Sequence, residues 1–225
     1  MILGSTNEYR DWAFEERCDV TVVDNSRSFH KAISEDRRYK NAAETVIYES
    51  WGDMKFYSEY DLALGDLIVG NVAPSQIERL LLTIHRSLRA GGCFITKSFF
   101  HGRNGITSDN IYKILHEIEI SYPCHDPFPI MAYPLTIAAM DRKTHMLDFA
   151  NMFEIINQAY QAGFVSARVL KRYQEFGWHV GAKITFYVMP VDMWRTYVDG
   201  VFTKVSTHTG PYEWSQDFPV YLMKK

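Results

Sequence analysis

The sequence is short of several things at once, and each shortage removes a class of protein. Only three cysteines occur in 225 residues, Cys18, Cys93 and Cys124, an odd number without paired spacing. Reduced thiols fit better than a secreted disulfide framework, and the spacing has no metal-ligand pattern. Neither sign of charge dominates, with 24 Lys+Arg against 27 Asp+Glu and a net of −3. That balance supplies no electrostatic footprint for duplex nucleic acid or an anionic membrane. No apolar run approaches the roughly 18 residues of a membrane span, and no basic-then-apolar leader opens the chain. Repeats, low-complexity tracts and interdomain linkers are missing too. With 47% hydrophobic and 23% charged residues, disorder and a collagen-like chain are excluded. What is left is a soluble, cytoplasmic globular chain, read as one domain over 1–225.

What is present is alternation. Met1-Ile-Leu-Gly4 is a short apolar strand stopped by glycine, and Ser5-Thr6-Asn7 are helix N-caps, with Glu8 three past Ser5 as in a capping box. Tyr9, Trp12, Ala13 and Cys18 recur near helical spacing, and Asp19-Val-Thr-Val-Val-Asp24 is a β-branched strand closed by an acid. A polar helix over 26–40 and a strand over 44–49 follow. Residues 60–71 form a fourth strand, apolar on both faces as a buried parallel strand must be. A helix of strong 3.6 period begins at Pro74, carrying Ile77, Leu80, Leu81, Ile84 and Leu88, with His85 on its outward face. Gly91-Gly92 reads as its C-cap, and Cys93–Lys97 as a fifth strand. This pattern predicts an α/β fold: a doubly wound, mostly parallel seven-stranded sheet with helices on both faces and an antiparallel last strand. Later segments predict helices over 109–120 and 147–162, and strands over 183–189 and 218–223. Three prolines exclude 123–129 from helix or central strand, and about 28 residues between the last two strands read as one long loop.

In such a sheet the ligand crevice lies at the carboxyl ends of the strands. Gly4 ends the first strand where the backbone must turn sharply. Asp24, ending the second, can accept both hydroxyls of a ribose through charge-assisted bonds. Asp53, after Trp51-Gly52, can accept from an adenine amino group. Gly65 and Asp66 fall in the fourth strand, where glycine leaves room for a ligand, and Asn71 closes it. These groups converge on something shaped like a nucleoside. A dinucleotide fold wants Gly-x-Gly-x-x-Gly, whereas Gly4-Ser5-Thr6-Asn7-Glu8-Tyr9 has one glycine and a nearby glutamate. That carboxylate repels a pyrophosphate and tolerates a sulfonium.

The run from Tyr60-Asp-Leu-Ala-Leu-Gly-Asp through Leu-Arg-Ala-Gly-Gly to Cys93-Phe-Ile-Thr resembles strands four to five of the class I S-adenosylmethionine-dependent methyltransferases. Ile2-Leu3-Gly4-Ser5-Thr6 resembles the family's first motif in single-glycine form, Val20–Ser26 its acidic second strand, and residues 218–224 its closing antiparallel strand. The likeness covers residues 1–100 well and 147–225 loosely. It implies a cofactor-binding half over 1–100, substrate-side helices and strands over 101–225, and S-adenosyl-L-methionine as cofactor. By resemblance Gly4, Ser5 and Thr6 line the methionine part, Asp24 binds the ribose hydroxyls, and Asn25 flanks the adenine. Trp51 and Asp53 meet the adenine, while Asp66 and Asn71 border the methionine ammonium and the substrate opening. Family members usually carry helices before the first strand. This sequence opens in that strand, so a missing segment, a homodimer or other partner subunit, or the carboxy-terminal part is expected to supply the lid.

His101, just past the fifth strand, is the candidate general base, with Tyr173, His179 and His208 as fallbacks. Positioning alone can accelerate a displacement on an activated methyl group, so a base is not required. From Tyr173 to Tyr221, twelve of 49 residues are aromatic, which suits an apolar acceptor pocket or an interface, with Phe186, Phe218 and Tyr221 expected in sheet packing. The resulting expectation is a methyltransferase acting on a small organic or metabolite acceptor. The rival is a non-catalytic subunit that keeps the fold. An adenine-N6 nucleic-acid enzyme places Asn/Asp-Pro-Pro-aromatic where this chain has Asn71-Val-Ala-Pro74, so no nucleic acid is expected.

Overall fold

The computed structural model describes residues 1–101, 105–175, 177, 185–211 and 215–225. It divides into two compact units, Met1–Gly102 with Met189–Lys225, and Arg103–Val188.

The first unit is built on β1 (Ile2–Leu3), α1 (Asn7–Glu15), β2 (Thr21–Asp24), α2 (Arg27–Ser34), β3 (Thr45–Tyr48), β4 (Tyr60–Asp66), α3 (Ile77–Ser87) and β5 (Leu88–Lys97). Two short strands, β6 (Phe100–His101) and β7 (Met189–Pro190), pair in parallel, Phe100 opposite Met189. Beyond β7 come α8 (Val191–Val201), β8 (Lys204–His208) and β9 (Val220–Lys224). Among the described residues one seven-stranded sheet runs β3-β2-β1-β4-β5-β9-β8. β1 to β5 pair in parallel, and β9 is antiparallel to both neighbours. This is the expected doubly wound topology.

The strand order reverses between β1 and β4. Right-handed crossovers therefore put α1 and α2 on one face and α3 on the other. Packing agrees. On one face Leu3, Val23, Ala63 and Phe94 meet Ile77, Leu80, Leu81 and Ile84 of α3 and Trp194 and Val198 of α8. On the other, Ile2 and Leu64 meet Ala13 of α1. Adjacent residues such as Ile2 and Leu3 serve opposite faces, as strand alternation requires.

Several boundaries differ from expectation. The polar helix stops at Ser34 because the Asp11 carboxylate takes over the next turn, accepting from Arg38 N (3.1 Å), Tyr39 N (3.4 Å) and Arg37 Nε (3.2 Å). In α1 the buried residues are Arg10 and Ala13, while Trp12 is 44% exposed. No capping box forms, for Thr6 is the N-cap and makes no side-chain bond. The fourth strand ends at Asp66 rather than Asn71, because Leu67 adopts a left-handed conformation (φ 53°) and a 3₁₀ turn over 68–71 follows. Pro74 opens another 3₁₀ turn, and α3 gives way to β5 at Leu88, extended, so Gly91-Gly92 lies within β5 instead of capping the helix. His85 is half-buried, edge-on to Phe202. The long terminal loop is instead α8 and β8, with Trp194 and Val198 one turn apart and both buried.

The second unit contains α4 (Ile111–Ser121), α5 (Pro127–Ala139), α6 (Phe149–Gln161) and α7 (Ala167–Glu175). α5 occupies much of the stretch from which prolines were expected to exclude helix. Pro127 and Pro129 fall in its first turn, where an N–H has no intrahelical partner, and the Asp126 carboxylate caps Phe128 N at 3.0 Å. Burial of Met131, Leu135 and Ile137 offsets the interior Pro134. Of the segment expected as a strand over 183–189, Lys183 and Ile184 lie outside the described residues, Tyr187 makes an isolated bridge to Met146, and β7 starts at Met189.

Candidate functional site

The carboxyl ends of the central strands bring four residues into adjacent registers. Leu3 pairs with Val23, so Gly4 and Asp24 come next, side by side. Asp66 pairs directly with Lys97 at the ends of β4 and β5. Gly4 turns with φ +83°, which a side chain would strain, and its N–H donates to Val23 O at 2.8 Å.

Asp24 is 4% exposed and bonded through both oxygens. Ser5 Oγ donates to Oδ2 at 2.5 Å, and Ser26 N donates to Oδ1 at 2.8 Å. The Ser5 hydroxyl thus donates to a buried carboxylate, and the N-cap position of α1 falls to Thr6. Trp51 lies beside this turn. Its indole Nε1 donates to Val23 O at 2.8 Å, and a methyl group on Gly4 would meet the ring at 3.7 Å. Gly4, Ser5, Asp24 and Trp51 are therefore one contact group, with Thr6 half-buried at the head of α1 and Asn25 exposed just beyond.

At β4, Lys97 Nζ lies 3.3 Å from Asp66 Oδ1, and the two side chains are 39% and 28% exposed. Oδ1 itself is shielded from solvent, and among the described residues no donor reaches it with hydrogen-bond geometry. Burial, then the Asp66 charge, raises the Tyr9 phenol of α1 above its ordinary range. Leu67 N donates to Lys97 O at 2.9 Å, so the left-handed turn locks the two strand ends together. Lys97 was not among the expected site residues. A cation closing the fifth strand beside an acid closing the fourth was the signal available for it.

Other expected residues are occupied differently. Asp53 pairs with Arg79 of α3 at the surface, and Arg79 Nε also reaches Gly52 O at 3.2 Å. The space a Cβ would take at Gly65 is filled by Ile68, whose Cδ1 would lie 2.9 Å away, so that glycine makes room for the chain's own core. Asn71 is exposed and donates to Leu67 O at 3.2 Å. His101 sits half-buried on β6 opposite Pro190. In the second unit, Tyr173 is 2% exposed and its hydroxyl reaches Phe128 O at 3.3 Å; burial drives its phenol far upward, which suits packing rather than proton transfer. His208 is exposed on the edge strand β8, and His179 lies outside the described residues. Much of the terminal aromatic group is core: Phe100, Trp194 and Tyr221 pack in mutual ring contact, and Phe202 lies against Phe94. Phe218 stacks on Phe99, while Phe176, Trp178, Tyr212 and Trp214 lie outside the described residues.

Depth alone does not mark the site. A groove of about 770 Å³ opens at the amino ends of the strands, between Met1, Asp19, Thr21, Thr45, Tyr60 and Arg89. The topology points to the opposite, carboxyl ends. Among the described residues no three His, Cys, Asp or Glu side chains converge as a metal would require.

The chain matches no protein-family model and no curated protein. Solved structures do match over its full length. One, from Rhodobacter sphaeroides and described as a proposed zinc-dependent alcohol dehydrogenase, is 13% identical with a TM-score of 0.57 over 83% of that chain. An S-adenosylmethionine-dependent methyltransferase from Mesorhizobium loti is 13% identical with a TM-score of 0.53 over 89% of that chain. The Burkholderia thailandensis 1,6-didemethyltoxoflavin-N1-methyltransferase, solved with 1,6-didemethyltoxoflavin and S-adenosylhomocysteine, is 12% identical with a TM-score of 0.52 over 69% of that chain. The neighbours are mostly S-adenosylmethionine-dependent methyltransferases, and the fold here is the class I fold of those enzymes. Identity this low establishes architecture, while chemistry has to be argued from the site.

Proposed function

We propose that this chain is an S-adenosylmethionine-dependent methyltransferase acting on a small organic acceptor, with residues 1–225 working as one cytoplasmic catalytic domain. No described helix is long and apolar enough to cross a membrane. The net charge of −3 argues against nucleic acid or a membrane surface as partner.

The observation that carries the reading is Asp24. Its carboxylate stands beside the Gly4 turn and already accepts a hydroxyl, from Ser5, which is the bond a ribose hydroxyl would make. Rotation of the Ser5 side chain would release Oδ2 for the ligand. The residues fit the cofactor at three further places. Gly4 presents backbone with no side chain beside the Trp51 ring, Trp51 a flat apolar ring, and Asp66 a carboxylate oxygen lacking a well-aligned donor. Asn25 would flank the adenine, and Asp53 would have to exchange Arg79 for the adenine amino group. The cofactor would supply an activated methyl group on sulfur and leave as S-adenosylhomocysteine. The chain's own residues would bind, orient and exclude water, with His101 available to hold the proton the acceptor releases.

Calorimetric titration of S-adenosylhomocysteine against the protein and its Asp24→Ala and Asp24→Asn variants tests this. Loss of two charge-assisted bonds predicts affinity about ten- to a hundredfold weaker in Asp24→Ala. Equal affinity in all three proteins would refute the site. The rival reading, a non-catalytic subunit, draws on the Asp53–Arg79 pair and on Ile68 filling the space beside Gly65. Formation of S-adenosylhomocysteine by the isolated chain from any acceptor in a metabolite panel would eliminate it.

A further inference from the structure

We propose that Ser5 is a competitor built into the cofactor site. Its hydroxyl holds the Asp24 oxygen that the cofactor's sugar must claim, and so sets both the affinity for the cofactor and the weight the site gives to the ribose hydroxyls. The inference rests on the proposed function and adds to it what regulates binding there.

Ser5 and Asp24 are both buried, and their bond joins Oγ to Oδ2. The carboxylate is fixed, because Ser26 N donates to Oδ1 at 2.8 Å. The backbone around Ser5 is fixed as well. The Gly4 N–H is tied to Val23 O, and Ser5 O accepts from Arg10 Nη1 at 3.5 Å, an arginine itself paired with Glu44. What is left to move is the Ser5 hydroxyl, by a step from one staggered well to another.

Exchange decides the energetics. Oδ2 has a charge-assisted bond before any ligand arrives, so a ribose hydroxyl there replaces one bond by another and gains little. Oδ1 has a further lone pair beyond the one facing Ser26 N, and the second hydroxyl bonds there as a gain. Without the Ser5 hydroxyl, Oδ2 stays buried and unpaired until the sugar reaches it, and the whole bond then appears as affinity. A serine that only shaped the turn would act otherwise: its loss would lower stability and affinity together. Loss of a competitor lowers the stability of the free protein and raises its affinity.

Calorimetry with S-adenosylhomocysteine and its 2′,3′-dideoxy analogue, beside melting curves of the free proteins, tests this. The variants are Ser5→Ala, Ser5→Cys (a weaker donor of similar volume), Asp24→Ala and the Ser5→Ala, Asp24→Ala double variant. Ser5→Ala is expected to melt below wild type, yet to bind S-adenosylhomocysteine about tenfold tighter. Ser5→Cys is expected to move both quantities the same way by less. The gain is expected to vanish with the dideoxy analogue and in the Asp24→Ala background, as a double-mutant cycle requires of a pairwise effect. If S-adenosylhomocysteine binds but neither Ser5 variant binds it tighter, or the gain survives loss of the ribose hydroxyls, this inference is overturned and the methyltransferase reading stands. If S-adenosylhomocysteine binds none of these proteins, both are overturned.

Discussion

The two faces of the sheet are held by different physics. Against α3 and α8 lies a broad apolar core in which Leu3, Phe94, Trp194 and Tyr221 are each 1% exposed or less. Against α1, among the described residues, the buried apolar cluster is Ile2, Ala13 and Leu64, with Tyr9, Val20, Leu62 and Ile95 partly buried against it. Charge replaces it. Arg10 is 1% exposed and its guanidinium meets Glu44 at 2.5 Å, Asn7 Oδ1 at 3.0 Å and Ser34 Oγ at 2.9 Å. Arg37 joins Glu44 at 2.9 Å to Asp11 at 3.2 Å, and His30 Nε2 lies 3.4 Å from Glu44. Glu44 is thus the common anion that ties α1, α2 and β3 together. An apolar face tolerates small losses locally, whereas a face built around one carboxylate concentrates its risk there.

Truncating the apolar side most directly, Trp194→Ala should cost about 3–5 kcal/mol in denaturant unfolding, from lost burial and the cavity left behind. Glu44→Gln should cost about 3 kcal/mol, because the buried Arg10 guanidinium loses its counter-charge and Arg37 keeps Asp11 alone. A loss under about 1 kcal/mol would mean that water reaches the network. The faces should also separate by pH. Burial pushes the Glu44 carboxyl up, but Arg10, then Arg37 and His30, outweigh it and hold it below the ordinary 4.5. A depressed acid stabilises the fold fully above its unfolded value and loses that contribution as pH falls below it. Melting curves between pH 6 and pH 3 (about the range needed to span that value) should show wild type and Trp194→Ala declining in parallel and Glu44→Gln declining less. The smallest effect belongs to Gly65→Ala, about 1–3 kcal/mol from overpacking Ile68, with no change in the acid profile.

The same contrast explains what the sequence made legible. Strands and helices through residue 97 were readable because β-branched runs alternate with the 3.6-period Ile77–Ser87 pattern, each backed by apolar burial. The charged face was not. Helical spacing in α1 pointed to Trp12, and nothing in a single sequence tells that Arg10 has Glu44 waiting 34 positions on. α5 was hidden because its prolines argue against a helix interior, whereas Pro127 and Pro129 sit in the first turn and burial offsets Pro134. α8 was hidden by Val191, Thr196, Val201 and Gly200, weak helix formers that packing of Trp194 and Val198 overrides. At the site, the nearness of Gly4 and Asp24 followed from topology alone. The Asp53–Arg79 pair and Ile68 over Gly65 depend on side-chain choices no spacing encodes, and Lys97 was missed because a strand-end lysine is ordinarily solvated.

The short pairing of Phe100 with Met189 has an engineering corollary. The chain leaves the first unit just after one of these strands and re-enters at the other, so both cut points sit one strand spacing apart, about 5 Å. Because that pairing is parallel, a chain lacking residues 103–188 would need a crossover long enough to reverse direction twice, while every strand of the seven-stranded sheet would keep its neighbours.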